Sequence, residues 1–183
     1  MTKKALVPIA EGTEELEAVT IVDVLRRAGV SVTVASVDAL QVICSRGVKL
    51  VADRLLDDCT SEDYDVIVLP GGMPGAAHLR DCETLVQLLR RQLERGGYIG
   101  AICASPAVVF EHHGLLSNRR ATCYPSFAEK FKEAVSVQES VVVDGPVITS
   151  QGPGTALAFS LKLVELLFER EKANEVAQAM VAQ

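Results

Sequence analysis

The sequence predicts an α/β sandwich with a mainly parallel central sheet. Three observations carry that expectation. Short β-branched and aliphatic runs alternate with longer segments of helical periodicity along the chain. The run YDVIVL, from Tyr64 to Leu69, is nearly continuously apolar, as a strand covered on both faces of a parallel sheet must be. No linker, repeat or low-complexity stretch interrupts the 183 residues, so a single domain over 1–183 is expected, long enough to bury a substantial core.

Taken in order, KALVPIA (Lys4 to Ala10) is a strand that breaks at Glu11-Gly12-Thr13. Glu14 to Ala28 is a helix: apolar residues recur at Leu16, Val19, Val22 or Ile21, and Leu25. Acids open it, Arg26 and Arg27 close it, and Gly29 stops it. Val30 to Val37 alternates as a strand and completes a βαβ unit. Gln41 to Ala52 reads as two short antiparallel strands about Arg46-Gly47, outside the main sheet. After the Tyr64 strand and Pro70-Gly71-Gly72, Cys82 to Arg95 is a helix with Leu85, Leu88 or Leu89, and Leu93 on its apolar face, closed by Gly96-Gly97. A strand from Tyr98 ends at Cys103, and a helix follows to about Glu111, ended by His112, His113 and Gly114. Those two histidines read as favourable charges at a helix C-terminus rather than as catalytic groups. Arg119 to Tyr124 is a strand candidate and Ser126 to Glu133 a short helix. Val135 to Val143 and Pro146 to Ser150 are strands about the Asp144-Gly145 turn. Gly152-Pro153-Gly154-Thr155 opens an apolar helix, Ala156 to Phe168, and a last helix runs from Glu171.

Composition excludes several classes of function. A net charge of −6 argues against nucleic acid or an anionic membrane as a main partner, since both attract basic surfaces. No apolar run is long enough to cross a bilayer, and Met-Thr-Lys-Lys leads into a strand without a cleavage signal, so a cytoplasmic protein is expected. Five cysteines, at 44, 59, 82, 103 and 123, form no C-x-x-C pair, and His78, His112 and His113 are not spaced with them as zinc ligands are. Free thiols and no metal or other cofactor are the expectation.

The chemistry converges on YIGAICASP (Tyr98 to Pro106), a buried strand running into a cysteine and then a helix. Ser105 can cap that helix and Pro106 suits its first position. Cys103 would then sit on a strand-to-helix elbow, where free amides and the helix dipole favour an anion and the thiol should ionise more easily than a free one. The plain alternative is a small apolar residue ending a core strand. Sites in open parallel sheets form beyond the carboxyl ends of the strands, where Gly12 to Glu17, Pro70-Gly71-Gly72 and Cys103 would meet. Gly71 and Gly72 could bring amides close to a substrate as an oxyanion hole, or simply make a tight turn. Glu17 lies beside the apolar stripe of its helix. Buried near the sulfur it would keep its proton and donate a hydrogen bond; exposed, it would be one more dipole-stabilising acid, as Glu14 and Glu15 are read to be.

PIAEGTEELEAVT, CSRGVKL, VIVLPGG, AICASPA and ITSQGPGTALAFSLKLVELL, in this order and spacing, resemble the ThiJ/PfpI superfamily. Within it they are similar to the branch of the Parkinson-associated protein deglycase and its YajL-like bacterial relatives. The resemblance implies a flavodoxin-like three-layer sandwich that forms a homodimer. It implies Cys103 as an oxidisable nucleophile, readily converted to a sulfinic acid, and Glu17 as the protonated carboxyl bonded to it. The amides of Gly71, Gly72 and Ala104 would line an anion pocket, and Arg46 would approach from the partner subunit. Two departures matter. Protease-like members carry a histidine directly after the cysteine, where this chain has Ala104. The animal deglycase branch has a histidine where Tyr124, a possible substrate contact, precedes Pro125. Tyrosine can donate a hydrogen bond but is no base near neutral pH. The expected function is a cofactor-independent cysteine enzyme that acts on methylglyoxal, glyoxal or their protein adducts in oxidative-stress defence. The alternative is a redox sensor or redox-regulated chaperone working through Cys103 oxidation without turnover. A role in thiamine metabolism ranks below both, for want of a phosphate loop or metal site.

Overall fold

A computed structural model describes residues 2–182. Strand β1 (Lys4–Ile9) passes through a tight loop into helix α1 (Glu15–Arg27) and strand β2 (Ser31–Ser36). A hairpin of β3 (Gln41–Ile43) and β4 (Lys49–Val51) forms a separate small sheet before β5 (Arg54–Leu55) rejoins the main one. A 3-10 turn at Leu56–Cys59 leads to β6 (Val66–Leu69), α2 (Gly75–Asp81), α3 (Glu83–Glu94) and β7 (Tyr98–Ile102). A π-helical turn, Pro106–Glu111, is followed by β8 (Arg120–Ala121), a 3-10 turn at Pro125–Lys130, and β9 (Val135–Ser136). The chain closes with β10 (Val141–Asp144), β11 (Val147–Ser150), a 3-10 turn at Pro153–Thr155, α4 (Ala156–Phe168) and α5 (Arg170–Ala179).

The central sheet has seven strands in the order β10-β11-β7-β6-β1-β2-β5, parallel throughout except for the β10–β11 edge. Alternation along each strand sends side chains to two separate cores. Ala5 and Val7 of β1, with Val66 and Val68 of β6, pack under α1, α4 and α5 around Phe159 and Leu163. Leu6 of β1, with Ile67 and Leu69 of β6, packs on the other face with α3 and Phe110. Both faces being covered is why these strands read as unbroken apolar runs, and the result is the three-layer, flavodoxin-like arrangement. Gly100 in β7 makes room for Phe159: a Cβ there would lie 3.1 Å from the ring.

The order of strands positions the site. From β1 the chain moves out to β2 on one side, then crosses back to β6 on the other. The switch point falls between the carboxyl ends of β1 and β6, with β7 adjacent, and a crevice opens where the connections diverge.

Several local expectations are corrected. Leu16 and Val19, read as the core stripe of α1, are half exposed, while Glu17, Ala18, Ile21, Val24 and Leu25 face inward. The helix carries apolar residues on two sides, and spacing alone does not say which side meets the sheet. Ser105 does not cap: its backbone is already helical and its hydroxyl donates to Pro70 O at 2.6 Å, tying the β7 elbow to the β6 loop. The following segment is a wide π turn rather than an α-helix. The strand candidate from Arg119 shrinks to β8, which pairs with β9 in a sheet of its own, and the Val135 run splits between β9 and β10. The helix expected at Ser126 to Glu133 is the 3-10 turn Pro125–Lys130. Helix α2 was not expected, because Pro and Gly crowd its start, and neither was β5, only two residues long. No helix among the described residues is long and apolar enough to cross a membrane.

Candidate active site

Cys103 stands at the end of β7 with φ of +64°, a left-handed conformation that is unusual for a residue with a side chain. Strain of this kind costs roughly 1–2 kcal/mol and persists only where neighbours fix the backbone. Here Cys103 N–H donates to Ser150 O at 3.0 Å, and Tyr124 N–H donates to Cys103 O at 2.8 Å. The elbow is thus pinned from both sides, and the sulfur is turned out of the strand toward the crevice.

Two glycines let the β6 loop close on this sulfur. A Cβ on Gly71 would lie 2.6 Å from Cys103 Cβ and 2.9 Å from Ile102 O. Gly72, at φ of +88°, has its missing Cβ 2.5 Å from Glu14 N. Contacts this close exclude any side chain, so the loop can meet both the elbow and the start of α1 only as glycine. Glu14 N–H donates to Gly71 O at 2.9 Å and locks loop to helix.

Glu17 projects from the first turn of α1 into the space so formed and is completely shielded from solvent. Its Oε2 accepts a 2.7 Å hydrogen bond from Gly71 N–H, while Oε1 has no conventional hydrogen-bond partner. The Cys103 thiol lies close enough that the two groups shift one another's ionisation, without a formed hydrogen bond of standard geometry. Burial pushes the Glu17 carboxyl up to about 7, against the Gly71 amide and the thiol, which favour its charge; the Glu14 carboxylate adds to the rise. Burial likewise pushes the Cys103 thiol up to about 12, and the charge and accepting oxygens of Glu17 add to this, against the amides of Gly72 and Ala104. The direction for the thiol is opposite to that expected from the turn alone. Two amides favour the anion, but a shielded site beside an acid outweighs them. A proton on Glu17 removes the charge that opposes the thiolate, so the two groups titrate as one unit.

The site residues named from sequence fall as follows. Cys103, Gly72, Ala104, Arg46 and Tyr124 line one cleft of about 310 Å³, with Glu14, Ser45, Met73, Phe127 and Pro153. Glu17 lies beneath Cys103 rather than on the cleft wall. The Gly71 amide donates to Glu17, and Gly72 and Ala104 are the amides that face the sulfur. This chain's own Arg46 is among the residues that line the cleft.

Glu15 is a residue that sequence reasoning missed. It is buried, not an exposed first-turn acid. Its carboxylate accepts from Arg46 N–H at 3.0 and 3.1 Å, Val48 N–H at 3.3 Å and Ser45 Oγ at 3.1 Å. Burial works against its charge, but these donors and its own amide hold the carboxyl below the ordinary value. The acid thereby fastens the β3–β4 turn over the cleft. Nothing in its local sequence marks this, because its partners lie some thirty positions away. His112 and His113 stay outside the cleft, where His113 Nε2 meets Arg80 O at 2.8 Å. Among the described residues no three His, Cys, Asp or Glu side chains are grouped to hold a metal ion.

Known proteins resemble this chain in sequence and in overall fold. A family model described as the DJ-1/PfpI family matches residues 3–166. The chain is 50% identical over 179 residues to Protein DJ-1 homolog B of Arabidopsis thaliana, which covers 97% of this chain but only 41% of that relative, so the chain spans less than half its length. It is 39% identical to the glutathione-independent glyoxalase DJR-1.2 of Caenorhabditis elegans, across 97% of this chain and 96% of that one. Among solved structures, oxidized DJ-1 of Toxoplasma gondii superposes with a TM-score of 0.97 at 45% identity, covering 99% of both chains.

The shielded carboxyl sets a pH dependence of stability. A Glu17 raised from 4.5 to about 7 binds its proton more tightly in the folded protein. The resulting stabilisation is complete below pH 4.5 and is lost as pH rises through 7. Urea unfolding of wild type and Glu17→Gln from pH 5 to 8 should show the variant gaining about 2–3 kcal/mol relative to wild type. Parallel curves would place the carboxyl in water.

Proposed function

The chain belongs to the DJ-1/PfpI family, and from that premise we propose that it is a cofactor-independent enzyme that converts methylglyoxal, glyoxal or their protein adducts to hydroxy acids. The observation that carries the reading is the pairing of a strained, cleft-lining Cys103 with a fully shielded Glu17 whose carboxyl is poised near neutral pH. A raised carboxyl of this kind suits proton transfer in both directions. The Cys103 sulfur forms a bond to the aldehyde carbon as the carbonyl π bond opens; ionised Glu17 takes the thiol proton and hands it to the carbonyl oxygen, which gives a hemithioacetal and restores the carboxylate. Glu17 then removes the proton from that carbon and returns it to the neighbouring one, while the hydroxyl proton passes from the first oxygen to the second, leaving a thioester of the hydroxy acid. Water cleaves the thioester and regenerates the thiol. The amides of Gly72 and Ala104 stand where negative charge on sulfur or oxygen would develop. Tyr124 and Phe127 form part of the cleft wall.

A second reading is supported by the same thiol. Cys103 is partly exposed, whereas Cys44, Cys59 and Cys123 are buried, so peroxide reaches it more readily than those three. Oxidation to the sulfinic acid would then report oxidative stress without turnover.

We also place a homodimer in this proposal. Leu16 and Val19 of α1 and Val51 of β4 are at least half exposed, and Val19 and Val51 line one apolar groove, a surface that a second copy would cover.

Purified, reduced protein should release lactate from methylglyoxal without glutathione. Cys103→Ser should abolish this, and Glu17→Gln should slow it by about 10²–10⁴-fold. No lactate from wild type would refute the enzymatic reading. Light scattering should give twice the chain mass of 19.6 kDa; a monomer at micromolar concentration would refute the dimer.

A further inference from the structure

Besides the shielded Glu17, the charged side chains on the Cys103 cleft are Glu14 and Arg46. They are held differently. Glu14 Oε2 accepts a 2.6 Å hydrogen bond from Ser45 Oγ, and its own amide is bonded to Gly71 O at 2.9 Å. Ser45 is itself fixed, its amide donating to Thr13 O at 2.8 Å and its turn held by Glu15. The Glu14 carboxylate is therefore mounted in one place within the cleft. Among the described residues Arg46 is anchored through its backbone alone, and its side chain is exposed, where water and salt screen the charge. Glu14 is also near enough to the reacting pair for its charge to reach Glu17.

We propose that Glu14 is a specificity-determining residue, a charge filter that admits uncharged carbonyl compounds to Cys103, disfavours carboxylate-bearing ones such as 2-oxo acids, and speeds departure of a hydroxy-acid product. This rests on the dicarbonyl reading for the identity of the substrate, but the filter itself acts on any electrophile that approaches the thiol. The reaction begins with a neutral molecule and ends with an anion. A fixed negative charge on the cleft wall therefore costs nothing on entry and favours exit. Unit charges a few ångströms apart at a wet site interact strongly enough to alter rates by about three- to tenfold.

The test compares alkylation of Cys103 by iodoacetamide and by iodoacetate. Both form a bond from sulfur to carbon with loss of iodide, are nearly equal in size, and differ in charge. Each samples the same thiol ionisation, so any change in how the Cys103–Glu17 pair holds its proton cancels in the ratio. Mass spectrometry of the Cys103 peptide separates it from the other thiols. In wild type the amide-to-acetate rate ratio should exceed that of free cysteine by about three- to tenfold at low salt, and shrink as salt is added. In Glu14→Gln it should fall to within about twofold of free cysteine; in Arg46→Gln it should stay or widen. A wild-type ratio at or below that of free cysteine, or a ratio unmoved by Glu14→Gln, would overturn the filter. So would a low ratio raised by Arg46→Gln, since the cleft's selectivity would then belong to the arginine. Alkylation needs no turnover, so absence of lactate would sink the dicarbonyl reading while leaving this measurement intact.

Discussion

A carboxyl group sealed beneath a thiol, with one amide for company, constrains everything around it. Glu17 has no contact with solvent, and its formed hydrogen bond is the one from Gly71 N–H. Ionising it there is costly, so its proton is retained to near neutrality. The arrangement then dictates neighbouring residue types. A side chain at the position that donates to Glu17 would put its Cβ 2.6 Å from Cys103 Cβ, so only glycine fits at 71. The elbow must turn the sulfur toward the acid, which requires the left-handed backbone at Cys103 and the bonds to Ser150 and Tyr124 that hold it.

The parallel sheet makes this juxtaposition possible at low cost. Three loops that are far apart in sequence leave adjacent strands, β1, β6 and β7, at the same edge, so Glu17, Gly71 and Cys103 need no long excursions to meet. Cross-links then consolidate the edge: Glu14 N–H to Gly71 O, and Ser105 Oγ to Pro70 O. The β3–β4 hairpin, outside the main sheet, is brought in by the buried Glu15 and completes the cleft with Ser45 and Arg46. Four acids near the start of α1 thus do four jobs according to direction. Glu11 accepts from Ile43 N–H, Glu14 faces the cleft, Glu15 staples the hairpin, and Glu17 lies under the sulfur.

Much of this was legible in sequence where local rules suffice. A nearly continuous apolar run marks β6 as a strand covered on both faces, and small and β-branched residues leading into a cysteine, with a serine and proline after it, mark β7 and the elbow. What stayed hidden depends on contacts distant in the chain. The burial of Glu17 and Glu15 is decided by how α1 rotates against the sheet, and apolar residues on two faces leave that rotation open. The thiol's ionisation departs from the local expectation because the turn's amides are a local feature, whereas shielding and the adjacent acid come from tertiary packing. Ser105 looked like a cap for the same reason: its true partner, Pro70 O, lies on another strand's loop.

The proton on Glu17 can be observed directly. With glutamate labelled at the side-chain carboxyl carbon with ¹³C, the Glu17 resonance, assigned by its loss in Glu17→Gln, should titrate with a midpoint near 7 in reduced protein. It should remain well above the ordinary 4.5 in Cys103→Ala, because burial is the main cause. A midpoint near 4.5 in the reduced wild type would mean an acid in ordinary contact with water, and would contradict the account of the site.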